Sequence, residues 1–557
     1  MLNYIFYFPI FESMKSIVFL YAAFTSLHPF EKKFGNQSAF ERALIWAKTL
    51  CPEKIVIATG NESQPCVKDF LSASMEEGIK VIFKSHWTLE DLFESFVECK
   101  NAFSADRIIY SFADRPFLDA DLTQRLLDLQ TKYMAEYAFQ DGYPEGFAPE
   151  ILDGSSCEIM LNLLKQNQSG IEKKEVTSSS IFDVIKNDIN AFDIETLLAE
   201  KDYRLFRFNF SCSRKNDFIA CQRLYQKALD CHEKFSSDEL SNLAVKSAEI
   251  QKTLPVFYNI QLCACSSSFE LYSPYQESFK KKFGYSPEAN NLIHENLMTL
   301  ESFKALVKAI SNFSECAVLS FSAFGESLLL PNIEEYIAEV LKNPNLSILI
   351  ETDGLLLTPA LISNIKSLCD AAPERKNGWE KIMWIVKMDA ISEEMYNRVH
   401  SVNVQLDTRP FEKVFSSVKL LAAEFSEVYP QFVRMKRNES ELENFYRYFH
   451  DKNSITKGKV LIQKYDSFCK KLDDEKVADL SPLVRNPCWH LKRDMTVLFN
   501  GDVPFCREAF FENISGNVLY DSIENIWHKT DSMLQRQVDN CFDGKCGDCD
   551  EYYTFNF

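Results

Sequence analysis

Cys546-Gly547-Asp548-Cys549 is a CxxC pair, the spacing at which one turn of chain presents two sulfurs to one metal centre. Upstream, 17 residues separate Cys488 from Cys506. The alternating run Met495 to Phe499 reads as a strand and Asn500-Gly501-Asp502 as a turn, which predicts the two cysteines near the two ends of one hairpin. Four thiolates from two local pairs suit a tetrahedral zinc ion or an iron-sulfur cluster; the alternative is four free thiols in a reducing cytoplasm. With Cys541, five of the 17 cysteines fall within the last 70 residues, and the odd total fits reduced thiols better than a disulfide framework. None of the 8 histidines forms an HxH or HExxH pattern, so structural roles are expected for them.

The elements that must position these thiols belong to a long chain. Its 557 residues exceed what one hydrophobic core serves and suggest about three domains. A composition of 46% hydrophobic and 25% charged residues excludes a largely disordered or collagen-like protein. The net charge of -19 argues against nucleic acid as a partner, and the 16 glycines form no glycine-rich phosphate loop. The opening MLNYIFYFPIFES lacks a basic start and is too short in apolar residues for a membrane span, so neither signal peptide nor anchor is expected, and the location is read as cytoplasmic. Met14, just ahead of the strand-like Ser16 to Ala22, is the expected natural start.

The first 160 residues alternate apolar strand candidates (Ile17 to Tyr21, Ile55 to Ala58, Val81 to Phe83, Ile108 to Phe112) with helical periodicity, the pattern of a mainly parallel α/β sheet. Ser38-Ala39-Phe40-Glu41 is a capping box that should open a helix to about Thr49. Phe93, Phe96 and Phe103 read as core. Gln166 to Ser180 is polar and loop-like, and Ser237 to Thr253 reads as a charged linker helix. After Pro255 the βα alternation resumes with Phe257 to Leu262, Ala317 to Phe321, Ile348 to Glu351 and Ile382 to Met388. These boundaries give domains at 14–235, 255–450 and 480–557, with 236–254 as the linker.

CWHLKRDMTVLFNGDVPFCREAF from Cys488, followed by Ile514 to Val518, Ser522-Ile523 and Ile526-Trp527, resembles the SPASM extension of radical S-adenosylmethionine enzymes, in the reduced "twitch" form with one auxiliary cluster. The resemblance implies one [4Fe-4S] cluster on Cys488, Cys506, Cys546 and Cys549, with Cys541 an alternative for one of the last two and Zn2+ the alternative metal. It also implies that the preceding block is a partial (β/α)6 barrel. Phe324-Gly325-Glu326-Ser327-Leu328 with Pro331 is similar to the family's GGEPL-x-x-P turn, so Gly325 and Glu326 are implied to bind S-adenosylmethionine. Glu351-Thr352-Asp353-Gly354 and Lys387-Met388-Asp389-Ala390 resemble two further family strands. The catalytic CxxxCxxCP signature, however, aligns with Ser266, Glu270 and Ser273, and Cys263 with Cys265 lacks the count and spacing to replace it. No radical chemistry of the usual kind is therefore expected.

Ile17 to Lys32 and Arg107 to Asp153 resemble cytidylyltransferases with a GT-A-like sandwich. Asp114-Arg115-Pro116-Phe117-Leu118-Asp119 is similar to the family's D-x-P-L-I-D, implying Asp114 as a Mg2+ ligand and Lys32 as the remnant of the phosphate loop. Both arginines and the glycine of that loop are absent, a second acidic ligand is replaced by Ser211, and Asp114 with Lys32 reads equally as surface charge. The whole chain resembles spirochaete-type SPASM proteins. That implies an iron-sulfur protein with a degenerate barrel, binding S-adenosylmethionine or a nucleotide without turnover and serving an unknown protein or small-molecule partner. The alternatives are an active nucleotidyl- or sugar-modifying enzyme of cell-envelope biosynthesis and a zinc-stabilised scaffold.

Overall fold

The computed structural model describes residues 14–74, 78–166 and 173–551. The expected start at Met14 concerns residues outside that range, as does part of the polar stretch after Gln166. The protein forms two compact units that divide between Val245 and Lys246.

The division falls inside the stretch read as one linker helix. The structure breaks that stretch into Ser237–Val245 and Ala248–Gln251, because Ser247 is extended, with φ -123° and ψ 104°. The first piece packs on the helix Lys215–Asp230 and the second on Asp531–Val538, so each caps its own unit.

In the first unit a seven-stranded sheet runs in the order Ile79–Phe83, Lys54–Thr59, Ser16–Tyr21, Arg107–Phe112, Glu150–Asp153, Tyr137–Asp141, Ile194–Leu198. All its pairings are parallel except the two made by Glu150–Asp153. Ile17, Val18, Phe19 and Leu20 are wholly buried, as a central strand covered by helices on both faces requires. Ser38 caps the helix Ala39–Thr49 through the reciprocal bonds of a capping box with Glu41. Phe93 and Phe96 are core, and Phe103 packs against that core from a partly buried position.

The second unit is built on an all-parallel, seven-stranded half-barrel sheet. Phe257–Ile260, Ala317–Phe321, Leu346–Thr352, Ile382–Lys387, Val428–Arg434 and Leu461–Lys464 follow one another in chain order. Amphipathic helices such as Leu300–Ser314 and Pro359–Ala371 separate them and cover the outside. The seventh strand, Asp494–Val497, comes from the cysteine-rich tail and pairs in parallel with Phe257–Ile260.

That pairing changes the hairpin expected between Cys488 and Cys506. A tight turn does join their strands, closed by Leu498 accepting from Gly501 and donating to Asp502, with Gly501 at φ +85°. Yet Asp494–Val497 spends its backbone bonds on the barrel, and Asp502–Pro504 pairs with Ile514–Asn517. The reason is burial: Met495, Val497 and Leu498 are at most 3% exposed only because the barrel edge covers them.

Candidate metal centre and barrel cavity

Five thiols, Cys469, Cys488, Cys506, Cys546 and Cys549, line one cavity of about 570 Å3 in the tail. Cys488 immediately precedes the helix Trp489–Arg493, and its N–H donates to Gln537 Oε1 at 2.8 Å. The other end of the same amide, Gln537 Nε2, donates to Cys546 Sγ at 3.4 Å, so one side chain registers both cysteine pairs. Gly544, at φ +58°, turns the chain into the short helix Lys545–Asp548 that carries Cys546. Cys549 Sγ accepts from the Glu551 N–H at 3.4 Å.

Cys469, absent from the sequence-derived ligand set, lines the same cavity as Cys549. No spacing rule could have found it, since it lies 19 residues before Cys488 in a loop shaped by left-handed backbone at Phe468, Cys469 and Lys470. Cys541 is exposed and outside the cavity, with its thiol against the Asp539 carbonyl. His490 lines the cavity, but its Nδ1 is engaged by Asp494 at 2.6 Å.

Burial pushes the Cys488 thiol up to about 12, and burial, then Glu508 and Cys488, raise the Cys506 thiol well above its ordinary value. Thiols gathered this way cannot become thiolates together without a cation among them. The donor set is soft sulfur, and it fits an iron-sulfur cluster or zinc.

A second cavity, of about 710 Å3 including its open mouth, lies at the carboxyl ends of the barrel strands. Ser266, Glu270, Ser273 and Gly325 all line it, as the alignment implied, and no cysteine does among the described residues. Glu270 instead forms a buried ion pair with Lys387 Nζ at 2.9 Å, and Glu351 approaches the same ammonium at 3.9 Å. The lysine, and after it His400, keep the Glu270 carboxyl ionised against its burial. Cys263 and Cys265 are buried elsewhere, with the Cys265 thiol on the Asn291 carbonyl.

Gly325 has φ +72°, and a Cβ there would sit 2.0 Å from the Cys263 carbonyl oxygen, so only glycine fits. Glu326 does not line the cavity. Its carboxyl accepts from the N–H groups of Leu328 and Asp353 and from the Thr352 hydroxyl, joining the ends of two neighbouring strands.

Arg507 lines both cavities. Beside it lie Asp466 of the barrel cavity and Glu508 of the cysteine cavity; burial raises both carboxyls, and the charge of Glu508 raises Asp466 further. Asp466 also lies within 4.8 Å of Asp550 and Glu551, but Lys476 and Lys464 neutralise those two carboxylates, which explains the cluster without a cation.

In the first unit Asp114 is 4% exposed, and its Oδ2 accepts from Ser213 Oγ at 2.5 Å. The hydroxyl at the aspartate is thus Ser213, not Ser211. Oδ1 has no hydrogen-bond partner, and burial raises the carboxyl. Asp217, which sequence reasoning missed, shares this field and is pushed up to about 7 by burial. Lys32 is exposed at the end of the helix His28–Glu31 and makes no contact with Asp114 among the described residues.

Residues 488–550 match SPASM, an iron-sulfur cluster-binding domain. An uncharacterized protein of Treponema pallidum (strain Nichols) is 35% identical over 382 residues, which is 68% of this chain and 99% of the relative. The chain belongs to that protein's family. Among solved structures, a cytidylyltransferase from Leptospira borgpetersenii serovar Hardjo-bovis is similar at 14% identity, covering 42% of this chain and 95% of that chain with a TM-score of 0.34. BtrN in complex with AdoMet and 2-DOIA is similar at 16% identity, covering 51% of this chain and 87% of that chain with a TM-score of 0.32. No helix among the described residues is long and apolar enough to cross a membrane.

Proposed function

We propose that this chain is an iron-sulfur protein whose barrel is a non-cleaving relative of radical S-adenosylmethionine enzymes. One [4Fe-4S] cluster is held by Cys488, Cys506, Cys546 and Cys549, and the barrel binds S-adenosylmethionine or a nucleotide without turnover, in the cytoplasm and without nucleic acid. The observation that carries this reading is the contrast between the two cavities: five thiols line one, and a Glu270–Lys387 ion pair stands in the other at the aligned cysteine positions. A cluster, when bound, stores and passes single electrons. The chain's own residues wrap it: Gln537 fixes two ligand-bearing segments, while Cys469 lines the same cavity. Without thiolates in the barrel there is no second cluster to deliver an electron to a sulfonium.

Anaerobic purification with iron, sulfide and zinc analysis tests the centre: about four irons and four sulfides per chain are expected, whereas one zinc and no sulfide would establish the scaffold reading. Equilibrium dialysis with labelled S-adenosylmethionine tests the barrel. Retained label with no 5′-deoxyadenosine on adding dithionite is the expected result, and product above a no-protein control overturns it.

A second reading, nucleotide chemistry in the first unit, is favoured by one observation, the unpartnered buried Oδ1 of Asp114. Turnover of CTP or a nucleotide sugar, abolished by Asp114→Asn, would support it.

A further inference from the structure

The charged groups of the barrel cavity are unequal in what they have left to offer. Lys387 is held by Glu270, and Lys464 by Glu551. The Arg507 guanidinium has neither a hydrogen bond nor an ion pair within 4.0 Å among the described residues. Its recorded contacts are with two aromatic rings, Phe324 at 5.5 Å and Phe468 at 5.7 Å from the guanidinium carbon. The rings hold the side chain by its π faces, which leaves the N–H edge free. Glu508 and neighbouring carboxylates set the field around it without touching it.

A guanidinium is a planar fork of five donors matched to the two oxygens of a carboxylate or phosphate. Placed deep in a cavity with accessible surface and no acceptor, it is a binding group without its ligand. We propose that Arg507 anchors an anion-binding site in the barrel cavity, taking the carboxylate or phosphate group of a small molecule. The two rings fix the orientation of the fork, and Ser266 and Ser273 offer hydroxyls on the same wall for the rest of the ligand. This deepens the reading of the barrel as a binding module by naming the chemistry of what it binds, and it is independent of which metal fills the tail.

The test uses the wild-type, metal-loaded full chain. Phenylglyoxal labels accessible arginines, and mass spectrometry reports the rate at Arg507, with exposed Arg398 and Arg447 as internal references. Inorganic phosphate and succinate are the two probes, each against sodium chloride at matched ionic strength. At an anion concentration about ten times its Kd, Arg507 labelling should slow about tenfold while the reference arginines are unchanged. Protection by phosphate points to a phosphate ester, and protection by succinate to a carboxylic acid. Labelling that is unchanged by either, slowed equally by chloride, or absent from the start because the guanidinium is already engaged overturns the site. Failure here with retained S-adenosylmethionine in dialysis would remove this inference and leave the non-cleaving barrel standing; the reverse outcome would do the opposite.

Discussion

At the scale of single residues, Cys506 and Cys541 separate cleanly. Cys506 lines the thiol cavity and Cys541 faces solvent outside it. Cys506→Ser should therefore remove most of the bound iron, and Cys541→Ser should leave the iron count within error; equal loss in both would reassign the ligands. Cys469 is a different kind of residue, a fifth thiol in the same cavity. Cys469→Ala is expected to keep about four irons per chain, because the other four cavity thiols remain. Loss of iron instead would make Cys469 itself a ligand. The cysteine pairs were legible through their local spacing, whereas Cys469 reaches the cavity through loop geometry that leaves no spacing to read. Ser266, Glu270 and Ser273 were legible only as substitutions; that Lys387 fills the charge Glu270 brings is a matter of strands far apart in sequence.

At the scale of elements, eight strands were plain in the sequence because buried parallel strands are continuous apolar runs, and their observed limits differ from the expected ones by a residue or two, while Tyr137–Asp141, Glu150–Asp153, Ile194–Leu198, Val428–Arg434 and Leu461–Lys464 were not singled out. The place of the seventh barrel strand was not plain either, since nothing local in Asp494–Val497 distinguishes a hairpin arm from a strand that joins a sheet more than 230 residues upstream. The tail is pinned to the barrel a second time by Trp527, 4% exposed, whose Nε1 donates to the Thr253 carbonyl at 2.9 Å. Buried Lys252 donates in turn to the Trp527 carbonyl at 2.6 Å and to Thr530 at 2.8 Å. Trp527→Ala removes a large buried ring and the bond at its edge, and should lower the unfolding stability of this unit by about 3–5 kcal/mol in denaturant titration. A change below about 1 kcal/mol would mean that the helix is not packed as described.

At the scale of the molecule, the two units carry different chemistry, and each has a signature that can be read separately. In the first, Glu150 is pushed up to about 7 by burial, against the bond from Tyr137 and the charge of Arg115. The folded unit thus holds a proton that the unfolded chain, with an ordinary carboxyl near 4.5, has released. The sign follows: this group's contribution is full below pH ~4.5 and is lost as pH rises through about 7, a drop on the order of 3 kcal/mol. Glu150→Gln should flatten that decline in the first unit's thermal midpoint between pH 5 and 8 and leave the second unit's unchanged. In the second unit, all five cavity thiols, the Gln537 brace and the Trp527 anchor lie between Lys246 and the C-terminus. Among the described residues, every group lining the thiol cavity belongs to the second unit. Expressed as residues 246–557, the second unit should fold by circular dichroism and carry the same iron per chain as the full protein. The fragment 14–245 should be folded and colourless. A folded 246–557 fragment with less than half the iron would show that loading of the cluster depends on the first unit, and would make that unit part of the cluster's assembly instead of an independent nucleotide-binding body.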